Sequence, residues 1–137
     1  MLTDAAGVPI GVAVAGANVH DQKLVEQTLQ SIPVRRPRPT PRKRQHLCAD
    51  KGYDAVAVRQ AAKRRRYLAH IARKGSDSPP TKHRHGQAHR WVVERTHSWT
   101  NRARRLLIRW EKKVANYLSF LHLQFAIVAL RTAGVLG

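Results

Sequence analysis

A short apolar run at residues 46–49 stops at Asp50-Lys51-Gly52, a helical stretch follows to about residue 65, and a second apolar run fills 67–72. Two strand-like runs separated by a helix restrict the chain to few architectures, because each strand must find a sheet partner and the helix must cover it. The flanking segments extend the alternation. Residues 1–3 and 8–15 read as the arms of a hairpin around Ala5-Ala6-Gly7, with the first arm cut short. Leu24, Val25, Leu29 and Ile32 recur at helical spacing behind Asn18 and Asp21, two good cap candidates, which predicts a helix over 20–32. Residues 33–45 form a basic Pro-rich loop, with four prolines and six basic residues in the first twelve positions. Asp54 is the expected N-cap of the helix that ends near Arg65. A polar loop occupies 73–86, a long helix 87–107, and a mostly apolar helix 112–132. No internal repeat is present, and the order of elements is that of a single α/β domain.

Charge narrows the function. The chain has 26 Lys and Arg against 8 Asp and Glu, a formal net charge of +18, with 42% hydrophobic residues. That apolar content supports a folded domain, and the charge demands a polyanionic partner, of which nucleic acid fits best. The basic runs at 35–44, 63–66 and 102–105 supply phosphate contacts, with Arg35, Arg36, Arg42, Lys43, Arg44, Lys51 and Arg102 the candidate DNA-binding residues. Cys48 is the single cysteine, so no internal disulfide forms and a reducing, cytoplasmic setting is expected. The first residues have neither a basic n-region nor an apolar h-region. The apolar segment 114–130 is interrupted by Asn116, Ser119, His122 and Gln124 and falls short of a clean span, so a buried helix, without a membrane partner, is expected there.

Acids are scarce, so their positions matter. Asp50 lies where a buried strand passes into a Gly-containing turn, the end of an α/β strand at which ligands bind; an equally good reading is that it bonds its own turn. Arg90, Glu94, His97 and Asn101 fall at i, i+4, i+7 and i+11 and make one polar stripe, opposite an apolar face of Val92, Trp99, Ala103 and Leu106. A surface Arg90–Glu94 pair, worth about 0.3–0.5 kcal/mol, explains Glu94 without any site.

Taken together, Ala49-Asp50-Lys51-Gly52-Tyr53-Asp54 and the later Arg90-x-x-x-Glu94-Arg95 resemble the C-terminal part of a DDE transposase of bacterial insertion sequences. Residues 11–21, ending Ala17-Asn18-Val19-His20-Asp21, resemble the hairpin-to-helix segment of the same family. The resemblance implies a ribonuclease-H-like α/β fold, a mixed sheet flanked by helices. It further implies three acids that hold two divalent ions, Mg²⁺ or Mn²⁺, for cleaving and joining DNA strands. Asp50 then matches the second acid, Glu94 the third, and Arg90 the arginine before the glutamate. Three departures stand out. Gln87 occupies the place of a tyrosine, Asn101 (with Arg102 beside it) that of a lysine, and the first acid belongs on a strand upstream of residue 1. Asp4 sits in a hairpin turn, where Asp serves the backbone. Residues 1–137 are therefore expected to be a truncated catalytic domain lacking its first strand, DNA-binding but inactive alone. Its partners would be DNA and either a second copy or a complementing N-terminal fragment. The alternative is a non-catalytic nucleic-acid-binding remnant or an inhibitor of intact transposase.

The remaining candidates have simpler readings. His83, His85 and His89 suggest zinc but lack a Cys pair, so polar loop residues near phosphate are expected. His97 shares the Glu94 stripe and reads first as a surface histidine. Cys48 reads as a small core residue, and Trp91, Trp99 and Trp110 as packing residues more than base-stacking ones.

Overall fold

A computed structural model describes residues 1–75, 90–108 and 110–136, without the side chains of Arg90 and Trp91. The α/β class holds. The expected single mixed sheet is not seen among the described residues, where the strands form two separate pairs.

The first pair is a hairpin of β1 (Leu2–Thr3) and β2 (Pro9–Gly11), antiparallel, with Leu2 opposite Gly11. Asp4 builds its turn, its Oδ1 accepting from Ala6 N and Val8 N at 2.9 Å each. β2 stops well short of residue 15 because its partner is only two residues long. Beyond the ladder, Val12 and Val14 pack on a helical core instead. The second pair is β3 (Gln45–Ala49) and β4 (Tyr67–Ile71), parallel and in register from Gln45↔Tyr67 to Ala49↔Ile71.

Helix α1 (Asp21–Gln30) begins one residue later than expected. His20 is its N-cap without a side-chain cap bond, so neither Asn18 nor Asp21 serves as one. The segment after β3 also departs from expectation. Lys51–Tyr53 is a single 3-10 turn, and α2 (Val56–Arg64) starts behind Ala55, not Asp54. The Asp54 carboxylate is engaged elsewhere: Oδ1 accepts from Arg59 Nη2 at 2.7 Å, and Oδ2 from the Lys74 backbone N–H at 2.9 Å. α2 ends in a left-handed turn at Arg66, φ 59°.

β3 is not a fully buried strand. Its inward row, with Leu47 at the centre, packs with Ala62 and Leu29 under α1 and α2, and Leu2, Val25, Tyr67 and Ala69 close the cluster. Burial of each leucine there contributes about 1.5–3 kcal/mol. Strand alternation turns His46 and Cys48 outward. Cys48 is therefore solvent-facing and no core residue, although partial desolvation raises its thiol pKa.

The C-terminal third is helical. The expected helix over 87–107 divides into α3 (Arg90–Asn101) and α4 (Arg104–Leu107), with Ala103 extended between them (φ −83°, ψ 106°). The break lets Leu106 meet Leu121 and Phe125 of α5 (Val114–Thr132), the second apolar cluster, which Val12 and Val14 cover. Along α3 the buried stripe is Val92, Thr96 and Thr100, with Trp99 only partly covered. α5 is not a buried helix: only Leu121, Phe125 and Val128 are buried along it. By length and composition alone it is apolar enough to cross a membrane, with 17% of its most apolar stretch buried. Trp110 is 71% exposed and does not pack.

Candidate functional site

Asp50 stands at the carboxyl end of β3, as the strand pattern predicts. Its Oδ1 accepts from Gly52 N at 2.8 Å, which is the turn-bonding role that sequence alone left open. A Cβ at position 52 would lie 2.8 Å from Asp50 Oδ1, so a larger residue there would make the carboxylate shift. Tyr53, in the same turn, is half-buried. Burial raises its phenol pKa, and the negative charges of Asp21 and Asp50 raise it further. The start of α1 is docked on this corner: the Gln22 side-chain amide donates to Gly52 O.

Glu94 lies exposed on α3, and that helix is fastened by the two residues that follow. Arg95 Nη2 donates to Ala6 O at 2.6 Å and its guanidinium covers the Trp99 ring at 4.9 Å. The Thr96 hydroxyl, wholly buried, donates to Gly7 O at 2.7 Å, with Val92 O at 3.0 Å. One turn along the polar stripe, His97 has its pKa lowered by partial burial of the ring and then by the N-terminal ammonium. That ammonium is itself depressed by burial and supported by Asp21.

Among the described residues no three His, Cys, Asp or Glu side chains form a group able to hold a metal ion. His83, His85, His89 and Gln87 lie outside the described residues, as does the Arg90 side chain; Asn101 closes α3 and Arg102 is exposed in the break after it.

The basic loop has an internal division of labour. Arg36 is tied into the fold: Nη1 donates to Gln45 Oε1 at 2.7 Å, Nη2 to Arg65 O at 3.1 Å, and the guanidinium stacks 4.2 Å from the Tyr67 ring centre. Gln45 Nε2 in turn donates to Pro37 O at 2.9 Å. Arg35, Arg42, Lys43 and Arg44 are exposed around that anchor, and Lys51 is exposed beside Asp50. Gln22, Asp21 and Tyr53 were not singled out as site residues by sequence, although Asp21 and Tyr53 lie in the two segments that carry the resemblance; Gln22, one residue past the first of them, gave no signal.

Comparison with known proteins agrees with the resemblance. Residues 1–129 match the family model described as the transposase DDE domain. The chain is also 36% identical over 137 residues to a putative transposase for insertion sequence element IS402 from Burkholderia cepacia. The match covers 96% of this chain and 62% of that relative, so the chain spans less than two thirds of its length. No solved structure matches.

Proposed function

Because the chain belongs to the transposase DDE domain family, we propose that it serves DNA transposition, binding DNA through its basic loop and contributing Asp50 and Glu94 to a divalent-metal centre. The observation that carries this reading is the placement of Asp50: an acid at the carboxyl end of a parallel strand, in a turn built to hold its carboxylate, inside a chain of net charge +18. Mg²⁺ or Mn²⁺, held by Asp50 and Glu94 with a further ligand, would supply activation of an attacking oxygen and neutralisation of phosphodiester charge. The chain's own residues do the rest. Arg35, Arg42, Lys43, Arg44, Lys51 and Arg102 hold the DNA backbone, Arg36 fixes the loop that presents four of these cations, and Arg90 orients DNA beside Glu94.

Two carboxylates leave a metal pair under-neutralised, and the described residues supply no third ligand. The reading therefore includes a further acid, outside the described residues, that would complete a ribonuclease-H-like centre. Within a bacterial cell the setting is the cytoplasm, where the DNA is.

The test is strand cleavage of duplexes carrying the ends of the encoding element, in Mg²⁺ or Mn²⁺. The chain alone is expected to be inactive, and addition of a fragment bearing the missing acid to produce nicks that disappear in Asp50→Ala and in Glu94→Ala. Cleavage by the chain alone, or complemented cleavage indifferent to Asp50→Ala, overturns the reading. Salt-sensitive DNA binding with no cleavage in any combination would favour the non-catalytic binder instead.

A further inference from the structure

The Asp50 turn is held from outside by a residue that neither the family resemblance nor the acid pattern picks out. Lys51–Tyr53 is one 3-10 turn with no buried side chain of its own, so nothing within it fixes where the carboxylate points except the bond from Gly52 N. Both backbone groups of Gly52 are used. Its N–H holds Asp50 Oδ1, and its carbonyl receives the Gln22 side-chain amide from the first turn of α1. α1 is itself seated in the main core through Leu29 and Val25 and joined to α2 by Glu26, which binds Arg64 at 2.8 Å and Arg65 at 3.2 Å. Gln22 thus connects a helix seated in the core to an otherwise self-supported turn, whose Tyr53 is half-buried.

We propose that Gln22 is a positioning residue for Asp50, its amide fixing the Gly52 peptide and thereby the direction of the carboxylate. The proposal rests on the reading of Asp50 as a metal-binding acid. A ligand displaced by about 1 Å is enough to impair a centre of that kind, and groups that orient metal ligands commonly change affinity about ten- to hundredfold when removed.

The test uses the full chain with Gln22→Ala and with Gln22→Glu, which keeps the shape and removes the donor; Gln30→Ala, at the exposed far end of the same helix, is the control. Two readouts are taken. Amide hydrogen exchange at Gly52 and Tyr53 is expected to accelerate in both Gln22 variants while Leu47 in β3 and the control stay at the wild-type rate. Mn²⁺ affinity, titrated with the acid-bearing fragment of the cleavage test present and followed by the paramagnetic signal of the unbound ion, is expected to weaken about tenfold or more in its Asp50-dependent part. Gln22→Ala should add nothing in an Asp50→Asn background. Unchanged exchange at Gly52 overturns the proposal outright. Faster exchange with unaltered Asp50-dependent Mn²⁺ affinity overturns the positioning role and leaves only a structural one. If the wild-type chain shows no Asp50-dependent Mn²⁺ binding even with the acid-bearing fragment of the cleavage test present, the metal reading of Asp50 fails and Gln22 as its positioning residue fails with it, whatever the exchange rates.

Discussion

Thr96 offers the sharpest test of how Glu94 is placed. Its hydroxyl is wholly buried and donates to Gly7 O at 2.7 Å, next to the Arg95 bond to Ala6 O, so two consecutive residues fasten α3 to the hairpin turn. Thr96→Val keeps size and shape, adds apolar character, and removes only the hydroxyl. A buried carbonyl deprived of its donor costs about 1–3 kcal/mol. For a domain of this size each kcal/mol moves the melting temperature by about 2–4 °C. Thr96→Ser keeps the hydroxyl and removes one methyl, a loss of about 0.8 kcal/mol by transfer alone. Urea unfolding monitored by Trp fluorescence and by far-UV circular dichroism should rank wild type above Ser above Val. The ranking opposes hydrophobicity, which is what gives it force. A valine variant as stable as wild type would mean that α3 is held by packing, and the hydroxyl–carbonyl link would carry no weight in locating Glu94.

Two further outcomes follow from side chains with more than one role open to them. Alanine at Arg42, Lys43 or Arg44 should each lower the salt slope of duplex DNA binding by about 0.9 with little change in stability. Arg36→Ala should instead cost about 1–2 kcal/mol of stability through lost hydrogen bonds and ring stacking; equal salt slopes for all four would refute the division. Asp54 gives a pH signature. The Lys74 N–H, then Arg59, hold its carboxyl below the usual carboxylate range, so its contribution is complete above the unfolded value of about 3.9 and is lost as pH falls through the lower folded value. Asp54→Asn should therefore be less stable than wild type at neutral pH, with the gap closing below pH 4; a gap independent of pH would refute the assignment.

What could be read in the sequence was whatever depended on near neighbours. The strand at 46–49, its stop at Asp50, the Asp4 turn and the basic Pro-rich loop are all local patterns, and all are present. The departures come from partners far along the chain. Asp54 is a good helix cap by every local rule, but Lys74, twenty residues on, takes one of its oxygens. The 3.6-residue rhythm through Val92, Trp99, Ala103 and Leu106 continues unbroken, yet Leu106 reaches Leu121 and Phe125 only if the helix opens at Ala103. Thr96 and Thr100 were invisible as buried residues because hydroxyls score as polar, and Thr96 is buried by virtue of the Gly7 carbonyl it serves. Cys48 followed from treating a short apolar run as buried on both faces, when one face of the β3–β4 pair is open.

The relative placement of the two acids depends on a joint that neither acid touches. Asp50 belongs to the part built on β3, β4, α1 and α2; Glu94 belongs to α3, which rides on the hairpin. No ladder joins the two strand pairs among the described residues. What joins them is the crossing of β2 over the end of α1. Val12 N donates to Ser31 Oγ at 2.8 Å, and that hydroxyl passes on to Thr28 O at 2.9 Å. The crossing is tight enough that a Cβ on Gly11 would stand 2.8 Å from the backbone oxygen of Thr28, closer than a fixed carbonyl can yield. Leu2 reinforces the joint by reaching from the hairpin into the Leu47 cluster, while Val12 and Val14 face the opposite way into the α4–α5 cluster. The hairpin therefore works as a two-sided wedge. Any centre that uses Asp50 and Glu94 together inherits its geometry from Gly11 and Ser31, so substitutions there should disturb the pairing of the acids while leaving each acid's own support intact.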